Sequence, residues 1–283
     1  MHTQENYNSV TSTRHDYSWG IGAALIAVGF ILLLDQYLRT GWLNLLILPI
    51  CGLILLGWGI ATRKYGLLVP GSILTGLGIG EFIILSHVFA FGLFTRIGLF
   101  LVFFAGGWGL ISILHLWLYE KMAWWPLIPG SVLAGIGYCF LTAWTPFNFA
   151  LYPLIGLGLA FLAWGLGARL IGLIIPGSLL LGIGPGVYVA WNEPGAGNGL
   201  TQSGEMLVWF ALGWGLITVI SRMLVNRFIW WPLIPGGILA MTGWGLYIGG
   251  SPHYALSFIG NTTSVSLILF GLYLLLWRSG LRK

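Results

Sequence analysis

The chain has 283 residues, 58% of them hydrophobic and only 7% charged, with a formal net charge of +5. Soluble domains carry about 25% charged residues, so this composition excludes a water-covered globular surface and fits lipid as the solvent. The basic excess forms no nucleic-acid-binding face, because the charges sit in short gaps between apolar runs, and no nucleic-acid partner is expected.

Residues 1–17 form a polar tail of mixed charge. Apolar runs then follow at 18–35, 43–61, 67–90, 97–118, 125–145, 150–167, 171–191, 206–222, 231–249 and 262–277, and a basic tail closes the chain at 279–283. A membrane span needs about 20 mainly apolar residues. Backbone in lipid must satisfy its own hydrogen bonds, and these runs do not alternate as barrel strands do. The expected fold is an all-α integral membrane protein of about ten transmembrane helices. The first run reads as an uncleaved signal anchor. Asn192–Gly204, rich in glycine and flanked by Glu193 and Glu205, reads as the longest connection between spans.

Placing the basic residues on this array puts Arg14, Arg63, Lys64, Lys121, Arg169, Arg222, Arg227, Arg278, Arg282 and Lys283 on one side, and only Arg39 and Arg96 on the other. The positive-inside rule makes the first side cytoplasmic. A multi-pass protein of the cell (inner) membrane with both termini in the cytoplasm is expected. Trp124, Trp125, Trp230 and Trp231 stand where spans leave the cytoplasm and read as interfacial anchors.

Alternate spans carry one signature: Pro70-Gly71-Ser72, Pro129-Gly130-Ser131, Pro176-Gly177-Ser178 and Pro235-Gly236-Gly237. A second glycine follows seven positions after the first, giving Gly71/Gly78, Gly130/Gly137, Gly177/Gly184 and Gly236/Gly243; the first span keeps the pair as Gly22/Gly29 without the proline. Seven residues is nearly two helical turns, so each pair shares a face. Small residues let helix backbones approach in lipid, where little else drives helices together. The prolines are expected within the first turn, where the backbone donors are unpaired anyway. The other spans carry an aromatic residue before a glycine, as in Trp58-Gly59, Trp108-Gly109, Trp164-Gly165, Trp214-Gly215 and Phe270-Gly271.

The unit is thus a helical hairpin, repeated five times. A stricter period overlies it, since Pro70 and Pro176, Arg63 and Arg169, and Trp108 and Trp214 are each 106 residues apart. This pattern reads as a tandem duplication: a first hairpin at 18–69, then four-helix units at 70–175 and 176–278. Each unit holds an even number of helices, so the copies are parallel rather than inverted.

An ionisable side chain inside a membrane is costly and marks a functional hypothesis. Glu81, in the third span, is the sharpest, with His87 and Arg96 as its nearest prospective partners along the chain. It reads as a proton-relay carboxylate or cation ligand, or else as an acid held neutral or paired in a closed interface. Asp35 is expected at the outer interface and His115 at the cytoplasmic end of the fourth span. The two cysteines, Cys51 and Cys139, are expected as small buried residues. No nucleophile–base constellation, phosphate loop or metal-ligand spacing is present in the sequence. No catalytic residue, metal or cofactor is therefore expected, and the chain does not read as an enzyme.

The first hairpin reads Ile21-Gly22-Ala23-Ala24-Leu25-Ile26-Ala27-Val28-Gly29, ends Leu32-Leu33-Leu34-Asp35-Gln36, and continues through Leu46-Ile47-Leu48-Pro49-Ile50 to Gly57-Trp58. Over about residues 19–60 it resembles the LiaI/LiaF-like two-helix transmembrane region of bacterial envelope-stress proteins. Gln36 stands where that pattern has Asn, and no soluble sensor domain is expected from the apolar runs that follow. The resemblance implies a bacterial inner-membrane protein and no chemistry. With so few buried polar groups, the expected role is a scaffold or accessory subunit of a membrane complex, or an envelope-stress component. Its expected partners are the lipid bilayer and other membrane subunits or copies of itself. The competing expectation is a small-solute or proton-coupled transporter or channel using Glu81.

Overall fold

A computed structural model describes residues 26, 29–37, 42–85, 90–142, 145–192, 199–225, 229–249, 257, 260 and 267. All regular structure among them is helical. Helix α1 covers residues 29–37. It is followed by α2 (Trp42–Thr62), α3 (Tyr65–Leu85), α4 (Leu93–Tyr119), α5 (Leu127–Thr142), α6 (Pro146–Ala168), α7 (Ile171–Trp191), α8 (Gly199–Val225) and α9 (Leu233–Gly249). Among the described residues, α2, α3, α4, α6, α7 and α8 are long and apolar enough to cross a membrane. The protein is a multi-pass membrane protein. The sequence holds 44 glycines, each costing a helix in water about 1 kcal/mol. Lipid reverses that penalty by offering an unpaired backbone no alternative partner.

Helix α7 keeps the bounds expected for it, but others shift. Helix α8 begins at Gly199 rather than at 206, so much of the expected Asn192–Gly204 loop is helical; Ser203 Oγ donates back to the Gly199 carbonyl at 2.7 Å and supports that first turn. Helix α5 is only 16 residues long, against an expected 21. Its start is delayed by a turn in which the Leu127 N–H donates to the Trp124 carbonyl at 3.1 Å and the Ile128 N–H to that of Trp125 at 3.3 Å. The expected tenth span, apart from Leu267, lies outside the described residues, as does Gly22.

Residues 1–90 and 91–283 form two compact units. In the first, α2 packs on α3. In the second, α4 to α9 pack in series, each helix chiefly against the one before it and the one after it in sequence.

Local geometry recurs at a spacing of 106 residues. Arg63 and Arg169 each end a helix with left-handed backbone, at φ 50 and 54. After them, the Lys64 N–H donates to the Gly59 carbonyl at 3.1 Å and the Leu170 N–H to the Gly165 carbonyl at 2.8 Å. Leu68 lies buried against Gly59, and Ile174 lies buried against Gly165. The Trp108 ring meets that of Trp125 edge-on at 5.8 Å, and Trp214 meets Trp231 at 5.9 Å.

The prolines correct one expectation. Pro129 and Pro235 do fall in a first turn, but Pro70 and Pro176 lie inside α3 and α7, because those helices begin at Tyr65 and Ile171. A proline ring crowds the carbonyl four residues back. That residue is glycine in both cases, Gly66 and Gly172, and neither position has a neighbour within 4 Å of where a Cβ would stand.

Candidate functional site

Glu81 sits on α3 and is the only charged side chain of that helix. Its side chain is half-buried, and Oε2 is enclosed without a hydrogen-bond partner. A buried carboxylate oxygen without a donor is costly unless it carries a proton or meets a cation or water. Arg96, half-buried in the first turn of α4, turns its Nε–H to the Phe91 carbonyl at 3.0 Å. Glu81 and Arg96 belong to different compact units. His87 lies outside the described residues.

A second group of polar atoms includes four residues of the repeat signatures, Ser72, Ser178, Trp108 and Trp214, which the sequence marks only as parts of a packing pattern. The hydroxyls of Ser72, Ser178, Ser112 and Thr218 and the indole nitrogens of Trp108 and Trp214 are buried without partners. They form three pairs, each 106 residues apart. Helical hydroxyls commonly bond the carbonyl one turn back, as Thr75 Oγ1 does to Gly71 at 2.7 Å. These four do not. The signal was present in the sequence as serine and threonine within otherwise apolar runs.

The glycine seam lies between helices. A Cβ at Gly71 would stand 2.8 Å from the Leu56 nitrogen, and one at Gly78 would collide with Pro49. A Cβ at Gly130 would stand 3.1 Å from the Trp108 Cβ, and one at Gly236 would stand 3.0 Å from that of Trp214. A Cβ at Gly177 would stand 2.9 Å from the Gly158 carbonyl oxygen, and one at Gly184 would stand 3.2 Å from the Leu154 side chain. Gly29 differs: nothing lies within 4 Å of its Cβ position. The tryptophans divide as well. Trp230, Trp231 and Trp125 are exposed, whereas Trp124 is half-buried with its indole on Gly167.

Two further placements depart from expectation. Asp35 is 1% exposed rather than at an outer interface. Cys51 is exposed, and only Cys139 is buried. His115, near the carboxyl end of α4 as expected, is half-buried, with its Nδ1 2.5 Å from the Lys121 carbonyl oxygen. Among the described residues, no group of three His, Cys, Asp or Glu could hold a metal. Comparison with family models, curated proteins and solved structures found no match for the chain.

Proposed function

We propose that the chain is a non-enzymatic scaffold or accessory subunit of a membrane complex. The observation that carries this reading is the serial packing of α4 to α9. Helices stacked chiefly on their neighbours leave apolar faces along the row, where Ile113, Trp117, Leu212 and Val219 are all exposed. In a membrane such faces serve lipid or other helices equally well. We further read the whole as ten spans in five hairpins, with a tandem duplication behind the 106-residue recurrence. The Arg- and Lys-rich side is cytoplasmic, and the first hairpin is of the LiaI/LiaF-like type found in envelope-stress proteins of the bacterial inner membrane. Purification in mild detergent with mass spectrometry tests the role. A stoichiometric partner lost on Trp117→Ala with Ile113→Ala supports it, and a homogeneous particle with no partner sinks it.

One observation favours a second reading. The unpartnered Oε2 of Glu81 is what a proton- or cation-coupled path would use. On that reading the chain is a small-solute transporter, and flux in proteoliposomes separates the two.

A further inference from the structure

A groove between α4, α5 and α6 encloses about 560 Å³, within the roughly 300–1,000 Å³ of small-molecule sites. Its walls include Gly106 and Gly109 on α4, Leu127 and Ala134 on α5, and Leu159 and Ala163 on α6. It runs from the first residue of α5 to about the middle of that helix. Towards the other end of α5 it is closed by contact. A Cβ at Gly137 would stand 2.8 Å from the Gly98 carbonyl, and one at Gly135 would stand 2.6 Å from Pro153.

Two observations separate this groove from ordinary helix packing. Gly106 and Gly109 do not serve a helix contact, since nothing lies within 4 Å of either Cβ position. They keep a space open, and the exposure of Leu159 on the opposite wall shows that the space opens sideways. The second observation is charge. Leu127, at the mouth, is hydrogen-bonded to Trp124, whose indole rests on Gly167, two residues before Arg169. Lys121 and Arg169, both exposed, stand in the chain connections that adjoin this end of the groove. Glu120 is the sole acidic residue in the two connections that carry them.

We propose that the groove seats an acyl chain of one anionic phospholipid from the leaflet on the Lys121 side, with its phosphate held by Lys121 and Arg169. Basic pockets between transmembrane helices suit anionic headgroups, and tryptophans such as Trp124 and Trp125 favour headgroup depth. A helix from a second copy would fill the groove but bring no phosphate to the two cations. The lipid site stands whether the chain is a scaffold or a transporter.

Native mass spectrometry of the full chain in detergent tests the site, titrated with palmitoyl-oleoyl phosphatidylglycerol or with the phosphatidylcholine of the same chains. One bound lipid is expected, with a preference for phosphatidylglycerol on the order of tenfold. Lys121→Gln with Arg169→Gln should bring that preference near unity and keep the bound lipid. Gly106→Leu should remove bound lipid of either kind while helical content stays unchanged. Gly109→Leu serves as the second groove variant, and the charge variant decides alone if neither leucine variant folds. Equal binding of the two lipids would overturn the proposal. So would a preference that survives the charge variant, lipid retained in both leucine variants, or a dimer that Gly106→Leu dissociates.

Discussion

Gly98 on α4 and Gly137 on α5 meet backbone to backbone: a Cβ on either would stand 2.8 Å from the carbonyl oxygen of the other. Gly204 and Gly243 repeat the relationship on α8 and α9, at 2.5 and 2.6 Å. Neither member of such a pair can gain a side chain unless two helix axes move apart.

Gly137→Leu is therefore expected to destabilise the chain by about 1–3 kcal/mol through overpacking, read as a lower melting temperature in detergent. Leucine at Gly215, where nothing lies within 4 Å of the Cβ position, should cost far less. Equal effects at the two positions would refute the contact account.

Arg63 ends α2 in left-handed backbone, at φ 50, a place usually taken by glycine. The strain of holding a side-chain-bearing residue there exceeds the entropy that glycine loses on folding, so Arg63→Gly should raise stability by roughly 0.5–1 kcal/mol. A thermal melt that falls instead would mean that the guanidinium contributes more than its backbone costs.

Glu81→Gln should leave fold and complex intact, because an amide keeps the size of the group and much of its hydrogen-bonding capacity. On the scaffold reading, proteoliposomes of wild type and variant both show no proton-coupled flux. Flux in the wild type that the variant loses would replace the scaffold with a transporter.

Reporter tags at both termini should score as cytoplasmic, because ten of the twelve basic residues fall on that side of the expected array. A periplasmic signal at either end would require an odd number of spans or the opposite orientation.

What the sequence made legible follows from what lipid permits. Apolar runs between charged or proline-bearing gaps gave α2 and α7 nearly to the residue, since helix is the spanning form such runs can take. Glycine spacing placed Gly71, Gly130 and Gly236 where they touch neighbouring helices. The facing of other residues could not be read. A helix apolar all round has no polar side to mark its outside, which is why Cys51 emerged exposed and Asp35 buried. The start of α8 was missed because Thr201, Gln202, Ser203 and Glu205 look like loop, yet Ser203 folds its hydroxyl back onto its own helix.

The serial packing of α4 to α9 also has a mechanical consequence. When each element is held chiefly by its two neighbours, cohesion is a chain of nearest-neighbour links rather than a closed network. Pulled from its carboxyl end, the protein should leave the membrane in a succession of small force peaks, about one per helical hairpin. The hairpins still embedded would hold their structure until their own turn.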